Sequence, residues 1–169
     1  MKKLILTITL FLGVIILYAQ QQSKPYNESQ DARADLKKAI ALAQKENKHV
    51  LIQMGGNWCP WCMKFHALVT GYPKLDSLMK ANYVYLLIKI HKEKDKRDYS
   101  LFREFEYPNR FGYPVFVILN GSGKRLNTVD SDGFEYPNPK IVGYDTLKVE
   151  RFLKLWTVKA MDPKSYKVN

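Results

Sequence analysis

Apolar residues recur along the chain at spacings that predict alternating helices and strands. Leu36, Ile40 and Ala43 follow one another at intervals of four and three residues, which places them on one face of a helix. Asn47 lies just after this stretch and can take the left-handed conformation that ends a helix. The apolar run from His49 to Met54 contains β-branched residues and has the length of a buried strand. The first two elements are therefore predicted to be a helix and a buried strand.

Helical and strand patterns alternate over the rest of the chain as well. The next predicted elements are a helix after the break at Gly55–Gly56, a helix over 73–80, a strand over 83–90 and a helix over 99–105. A strand hairpin that turns at Asn120–Gly123 follows. The last element is a helix that Asp145 caps, with Leu147, Phe152 or Leu153, and Trp156 on one face. This order predicts the α/β class, with a mixed central sheet covered by helices on both faces.

The N-terminal end has the composition of a secretory signal. Met1 to Lys3 is basic, Leu4 to Leu17 carries no charge, and the small residue Ala19 follows where a signal peptidase would cleave. The uncharged run of 14 residues is shorter than the roughly 20 that span a hydrocarbon core, although an uncleaved membrane anchor is the alternative. No cysteine lies near this point, which excludes a lipid-anchored N-terminus. The sequence therefore predicts an exported protein, periplasmic or otherwise extracytoplasmic, that begins near Gln20.

Four segments are predicted from these patterns. Residues 1–19 form the signal peptide, 20–30 a flexible leader, 31–160 one folded domain and 161–169 a C-terminal tail. The leader is assigned because QQQSKPYNESQ is polar and has no periodicity. The chain is 46% apolar and 13% aromatic, and about 150 residues of such composition can bury one core.

The chain is basic, with a formal net charge of +11 at pH 7. Its lysines and arginines are scattered along the whole length, and no arginine–aromatic stripe of the kind that binds nucleic acid is present. The densest run, HKEKDKR from His91 to Arg97, mixes both signs and is expected to be a solvated turn. We therefore expect a monomer that does not bind nucleic acid, with at most a weak preference for acidic partners.

Candidate chemistry is confined to LIQMGGNWCPWCMKF, which holds both cysteines of the chain, Cys59 and Cys62. Two cysteines three positions apart can form a redox pair, half of a metal site or a local staple. A staple here is weak because a bridge that closes so short a loop restricts the unfolded chain very little. Exported domains that depend on disulfides for stability usually carry several. A reversible dithiol is the interpretation that fits this count best.

The order strand, glycines, helix gives the two thiols different surroundings. Cys59 is predicted at a helix N-terminus, where free N–H groups and the helix dipole lower a thiol pKa from about 8.5 to roughly 3.5–7.5. Pro60 suits the first turn, which needs no N–H donor at that position. Cys62 lies one turn further, at roughly 5 Å between Cα atoms. Cys59 is therefore the predicted attacking thiolate, and Cys62 the thiol that resolves the mixed disulfide.

Two motifs resemble those of the thioredoxin-like family. KENKHVLIQMGGNWCPWCMKF is similar to the family's helix, KPVLV-type strand and WCxxC helix. FGYPVFVILNGSGK is similar to its second motif, a proline that opens a hairpin strand. The resemblance covers about Asp31 to Ala160, with the motifs in the family's order. It implies a thioredoxin-like three-layer α/β/α fold with a mixed central sheet and the activity of a thiol–disulfide oxidoreductase.

The resemblance also implies residues for substrate binding. It predicts a cis peptide bond between Tyr113 and Pro114 beside the cysteines, with the backbone of Tyr113 pairing to the substrate chain. Trp58, Pro60 and Trp61 flank the cysteines and are the candidate contact surface for a partner. For the two tryptophans, simple packing at the rim of the site is the alternative.

Three features depart from the family pattern. Gln53 stands where thioredoxins often have a buried acid, so the proton of Cys62 must pass to water or to another group. The dipeptide between the cysteines, Pro60–Trp61, is nearer to the Pro-Tyr of glutaredoxins, although no glutathione-site signature accompanies it. Trp61 offers no positive charge to stabilise a thiolate, which favours a reducing or intermediate redox poise. The segment from Val129 to Tyr144 is longer than a minimal thioredoxin requires and is expected to influence partner choice.

The three histidines are not expected to take part in the chemistry. His66 is predicted on an exposed helix face and His49 at a strand start, and neither these nor His91 shows a recognisable ligand spacing. No metal site and no cofactor other than the Cys59–Cys62 redox couple are therefore predicted.

The predicted function is that of an exported thiol–disulfide oxidoreductase that reduces disulfides in other exported proteins. A membrane electron donor that recharges it is left open as a further partner. Two alternatives remain at this point. One is a thioredoxin-fold module that binds copper or zinc through the cysteine pair, and the other is a structural or chaperone domain with an inert disulfide.

Overall fold

The computed structural model describes residues 24–166 of the chain. The predicted signal peptide, residues 20–23 of the predicted leader and residues 167–169 of the predicted tail lie outside the described residues. The helices are, in chain order, α1 (Ala32–Glu46), α2 (Pro60–Gly71), α3 (Pro73–Asn82), α4 (Tyr99–Glu104), α5 (Thr146–Leu155) and α6 (Val158–Met161). The strands are β1 (His49–Gly55), β2 (Tyr83–Lys89), β3 (Val115–Leu119) and β4 (Arg125–Asp130).

The strands form a four-stranded sheet in the order β2-β1-β3-β4. β1 pairs in parallel with β2 and antiparallel with β3, and β3 pairs antiparallel with β4. Because β1 is an inner strand with a core on each face, every one of its residues is buried. The mixed sheet confirms the predicted α/β class.

Two hydrophobic cores cover the two faces of this sheet. Alternation along β1 sends Val50, Ile52 and Met54 to the face covered by α1 and α4, and Leu51 to the face covered by α2, α3 and α5. The helical residues of the first core are Leu36, Ala39, Ala43, Leu101 and Phe102. Those of the second core are Phe65, Val69, Leu75, Met79, Val149, Phe152 and Leu153. Helices on both faces confirm the predicted three layers.

The helix ends follow from the capping residues that the sequence supplies. Asp31 caps α1 with a side chain that accepts from the N–H of Ala34, and Asn47 ends it in the left-handed conformation (φ 52°, ψ 50°) as predicted. The hairpin between β3 and β4 turns where predicted, and the Asn120 side chain accepts from the N–H groups of Ser122 and Lys124.

The buried face of α5 differs from the prediction at one position. Asp145 caps the helix as predicted, but Leu147 is 72% exposed. The buried apolar residues of the helix are Val149, Phe152 and Leu153, and Phe152 and Leu153 follow Val149 by three and four residues. Leu147 precedes this stripe by two residues and therefore points to the other side of the helix. Its assignment to the buried face is wrong.

Within residues 24–30, which the sequence predicts to be part of a flexible leader, Tyr26 and Gln30 contact the domain. Tyr26 is 1% exposed and contacts the cysteine pair. The side chain of Gln30 caps the free edge of β2, since its Nε2 donates to the Leu87 carbonyl at 2.7 Å and its Oε1 accepts from the Lys89 N–H at 2.8 Å. Tyr26 thus packs against the domain that the sequence predicts to begin at residue 31, and the predicted boundary itself stays a prediction. We call residues 26–30 the N-terminal strap.

The C-terminal end of the described chain consists of short helical turns. α6 is followed by a 3-10 turn over Pro163–Ser165, and the Tyr166 hydroxyl donates to the Ala160 carbonyl. Within residues 24–166, no helix has the length and apolar character needed to cross a membrane.

Candidate active site

The turn between β1 and α2 places Cys59 at the start of a helix. β1 ends at Gly55, and Cys59 is the N-cap of α2 with an extended backbone (φ −101°, ψ 105°). The Cys59 sulfur accepts from the backbone N–H of Cys62 at 3.2 Å. One of the N–H groups that a helix leaves unpaired in its first turn is thus directed at this sulfur. Pro60 lies in the same turn, as predicted.

The two cysteines form a disulfide with their Cα atoms 5.2 Å apart, which confirms that they lie within bridging distance. They differ in accessibility, since Cys59 is 4% exposed and Cys62 is 0% exposed. Cys59 therefore keeps a small exposed fraction, whereas Cys62 is covered completely by protein.

The glycines after β1 are required by close packing around the pair. A Cβ atom built on Gly55 would collide with Cys62 Sγ and lie 2.9 Å from the Tyr26 hydroxyl oxygen. A Cβ atom built on Gly56 would lie 2.5 Å from Nε1 of Trp58. Both positions therefore need glycine, whereas the sequence pattern indicates only a break in the strand.

The loop before β3 completes the site. The Tyr113–Pro114 peptide bond is cis, as predicted, and the Tyr113 carbonyl oxygen lies 3.6 Å from Cys59 Sγ. The Tyr113 ring meets Trp58 edge-on at 5.7 Å between centroids, and the Arg97 guanidinium lies 5.7 Å from the same ring's centroid. Burial raises the pKa of the Tyr113 hydroxyl, and the positive charge of Arg97 partly offsets this rise. Arg97, expected in a solvated turn, thus holds part of the site in place.

The residues that flank the cysteines differ in what they offer a partner. Trp58 is 39% exposed, and its Nε1 donates to the Ile90 carbonyl at 2.8 Å, which holds the ring at the surface. Pro60 is exposed, while Pro114 is buried. Trp61 is half-buried and packs edge-on against Tyr144 at 5.3 Å between centroids. Trp58 and Pro60 are therefore exposed beside the cysteines, whereas Trp61 packs against Tyr144. That these residues contact a partner stays a prediction.

Behind the disulfide, Gln53 is fully buried in a hydrogen-bonded network. Its Nε2 donates to the Cys62 carbonyl at 2.9 Å and to the Tyr26 hydroxyl at 2.6 Å. Its Oε1 accepts from the Tyr85 hydroxyl. Within residues 24–166, the hydrogen-bond partners of Gln53 thus include no carboxylate. Burial raises the pKa of Tyr26 and of Tyr85, which keeps both hydroxyls protonated.

Sequence patterns alone could not have found this network. Tyr26 is a single aromatic residue in a polar segment, and Tyr85 lies among the other apolar residues of a strand. The only available indication was an isolated tyrosine where no core was predicted.

Two of the histidines, His66 and His49, are at least partly buried and pack or bond within the domain. His66 is half-buried and stacked on Tyr85 at 5.9 Å between centroids, so the expectation of an exposed side chain is wrong. Burial lowers the pKa of His66. His49 is buried, with Nδ1 2.8 Å from the Trp156 carbonyl oxygen, which ties β1 to the end of α5. In the part of the chain described, no group of three or more His, Cys, Asp or Glu side chains could hold a metal ion.

The segment from Val129 to Tyr144 reaches the edge of the site. Glu135 and Tyr144 form an isolated antiparallel bridge within it. The Tyr144 hydroxyl donates to the Trp61 carbonyl at 3.3 Å. The segment therefore supports the turn that separates the two cysteines, and its influence on partner choice stays a prediction.

Comparisons with known proteins agree with this geometry. A family model described as thioredoxin-like matches residues 31–121. A disulphide isomerase from Xylella fastidiosa has a solved structure with a TM-score of 0.65 and 24% sequence identity, covering 78% of this chain and 95% of its own. A thioredoxin from Thermus thermophilus gives a TM-score of 0.51 and 20% identity, covering 74% of this chain and 85% of its own. None of the curated proteins compared with the chain matches it.

The matched residues include the helix, strand and cysteine pair that carry the resemblance seen in the sequence, and the solved structures share the fold. A disulfide between cysteines three residues apart, at the start of a helix in this fold, is of the thiol–disulfide oxidoreductase kind. The chain belongs to the thioredoxin-like family.

Proposed function

We propose that the protein is an exported thiol–disulfide oxidoreductase that passes electrons to disulfides of other exported proteins. The observation that carries the proposal is the asymmetry of the pair. The sulfur of Cys59, a helix N-cap residue that keeps an exposed fraction of 4%, is bonded to the sulfur of Cys62, which is 0% exposed. Such a pair can exchange with a partner at one end and close on itself at the other.

The reaction has two exchange steps. The Cys59 thiolate attacks a substrate disulfide, so that a Cys59–substrate bond forms and the other substrate sulfur leaves as a thiolate. The Cys62 thiolate then attacks the Cys59 sulfur, so that the Cys59–Cys62 bond forms and the second substrate thiolate leaves. The substrate gains two electrons and takes up two protons from water, and a separate donor must return two electrons to the protein.

The substrate is expected to lie along the loop that faces Cys59. The carbonyl of Tyr113 is 3.6 Å from the reactive sulfur, and Trp58 and Pro60 are exposed beside it. An extended segment placed there can contact these groups while its disulfide meets Cys59. Pro114, which is buried, and Trp61, which is half-buried, flank these groups in the sequence.

Export is supported by the sequence of the N-terminal end. The basic head, the uncharged run from Leu4 to Leu17 and the small Ala19 are the parts of a secretory signal. The substrates would then be exported proteins whose disulfides persist in an oxidising compartment. A membrane electron donor is compatible with this placement, as is an uncleaved N-terminal anchor.

The reducing direction is supported by the surroundings of Cys59. Its sulfur contacts a backbone N–H and a backbone carbonyl, and the residue between the cysteines that would carry a cation in a strong oxidant is Trp61. A less stabilised thiolate corresponds to a lower reduction potential, because stabilising the reduced form makes the couple more oxidising.

Equilibration with glutathione buffers of defined ratio tests the proposal. We expect reversible two-electron exchange with a potential nearer to the about −270 mV of thioredoxin than to the about −120 mV of a dedicated disulfide-inserting oxidant. A potential close to the oxidant would contradict the reducing direction. A disulfide that fails to equilibrate at any ratio would contradict the oxidoreductase function and favour an inert bridge.

A further inference from the structure

The N-terminal strap places one polar atom behind the disulfide. Tyr26 lies outside residues 31–121, the part matched by the family model, yet it is 1% exposed and packed with both cysteines. Asn57, in the turn before Cys59, holds the strap there. Its Oδ1 accepts from the Tyr26 N–H at 3.2 Å and its Nδ2 donates to the Tyr26 carbonyl at 2.8 Å. The position of the Tyr26 ring is therefore fixed by the same turn that presents the cysteines.

The orientation of the Gln53 amide determines what the Tyr26 hydroxyl can do. The Cys62 carbonyl can only accept, so the Gln53 atom 2.9 Å from it must be the donating Nε2. The same Nε2 donates to the Tyr26 oxygen at 2.6 Å. That oxygen is thus used as an acceptor, and its own proton has no acceptor among residues 24–166.

Gly55 borders both this hydroxyl and the buried sulfur of Cys62. A Cβ atom at Gly55 would collide with Cys62 Sγ and lie 2.9 Å from the Tyr26 oxygen, so both atoms border the space left by the missing side chain. Cys62 must become a thiolate to attack Cys59, and it must do so in a fully buried position. A buried anion needs a hydrogen-bond donor because desolvation disfavours its charge.

We propose that Tyr26 is a positioning residue for the resolving step, whose hydroxyl donates a hydrogen bond to the Cys62 sulfur when that sulfur becomes a thiolate. The proposal rests on the proposed function, because it concerns the second exchange step of that reaction. The phenol remains protonated throughout, and the proton that leaves Cys62 passes to water. Tyr26 thereby stabilises the resolving thiolate at a site where Gln53 stands in place of a buried acid and cannot take the proton.

The groups that could titrate near this pocket come from every element packed around it. The uncharged groups are Tyr26 of the strap, Cys59 and His66 of α2, Tyr85 of β2, Tyr113 before β3 and Tyr144 before α5. The charged groups are Arg97 and the pair of Glu28 and Lys89, whose side chains lie 3.2 Å apart. A Tyr26→Phe variant keeps all of these groups except the Tyr26 hydroxyl. A change in pH profile between the two proteins therefore reports on that hydroxyl.

The test uses single-turnover oxidation of the reduced full chain by excess dithiobis-nitrobenzoate. The first coloured thiolate is released when Cys59 attacks the reagent, and the second when Cys62 closes the Cys59–Cys62 bond. Tyr26→Phe should leave the first phase unchanged and slow the second about tenfold at neutral pH, with the second phase's pH profile moved up by about one unit. The matched control is Tyr83→Phe, which removes a buried hydroxyl that donates to the Leu153 carbonyl at 2.5 Å in the other core.

A second measurement keeps the inference testable if the closing phase is too fast to follow. In Cys59→Ser protein, carbon-13 NMR of the Cys62 β carbon gives the pKa of that thiol directly, and Tyr26→Phe should raise it. An equal Cys62 pKa with and without the hydroxyl would overturn the inference, as would equal slowing of both phases or slowing by Tyr83→Phe. Failure of the wild type to release any thiolate at Cys59 would instead overturn the proposed function.

Discussion

Gly55 shows how one missing side chain determines the geometry of the site. The α hydrogen that stands in place of a side chain faces Cys62 Sγ and the Tyr26 hydroxyl, and a Cβ atom at this position would lie too close to both. Cys62 is held in the disulfide and at the first turn of α2, so it cannot rotate away at little cost. Any residue other than glycine here must displace the helix, the strap or both.

Gly55→Ala should therefore lower the free energy of unfolding of the oxidised protein by about 1–3 kcal/mol, the usual cost of forcing an extra carbon into a packed core. Gly71→Ala is the matched control, because a Cβ atom there has nothing within 4 Å. At the end of α2 it should leave stability unchanged or raise it by up to about 1 kcal/mol. Urea unfolding measures both. A Gly55→Ala protein as stable as the wild type would show that the space behind Cys62 can expand freely.

At the scale of elements, periodicity predicted the long helices and strands but could not predict the strap. Several regularly spaced apolar residues define α1 and β1, whereas the strap is held by the single ring of Tyr26 and by polar contacts such as those of Gln30 and Asn57. Tyr26 is buried by packing against the cysteine turn, and Gln30 caps β2 by imitating the hydrogen bonds of a neighbouring strand. Neither interaction leaves a repeating pattern in the sequence. The polar composition of the segment therefore suggested a free leader.

A chain that begins at Asp31 should be less stable than one that begins at Lys24. The shorter chain loses the buried Tyr26 ring, and removal of a buried aromatic side chain typically costs about 3–5 kcal/mol. The chain from Lys24 keeps every described contact of the strap and serves as the control. Urea unfolding of both oxidised proteins gives the difference. Equal stability would mean that the domain begins at residue 31, as composition alone predicted.

At the scale of the whole molecule, sheet pairing brings together two motifs that lie far apart in the sequence. The antiparallel register pairs Met54 with Val115, so the turn after β1 and the loop before β3 meet at one end of the sheet. Cys59 and Tyr113 thereby come within 3.6 Å. Spacing within the chain could place each motif on its element, but only the resemblance to a known family could predict that they meet.

The same arrangement assigns different roles to two chemically identical side chains. The Cys59 sulfur accepts a hydrogen bond from the Cys62 N–H, and Cys59 keeps a small exposed fraction, while Cys62 is fully buried. The central claim is therefore that Cys59 attacks partners and Cys62 releases them. Trapping of mixed disulfides tests this claim because an attack that cannot be resolved leaves a covalent complex.

The most direct measurement compares Cys62→Ser with Cys59→Ser in cells, with free thiols blocked by alkylation and complexes separated without reductant. Cys62→Ser should accumulate mixed disulfides with exported proteins, and these should disappear on reduction. Cys59→Ser, which keeps the buried thiol and loses the accessible one, should accumulate none, and the variant with both serines gives the background. Equal trapping by the two single variants, or trapping by Cys59→Ser alone, would contradict the assignment of roles.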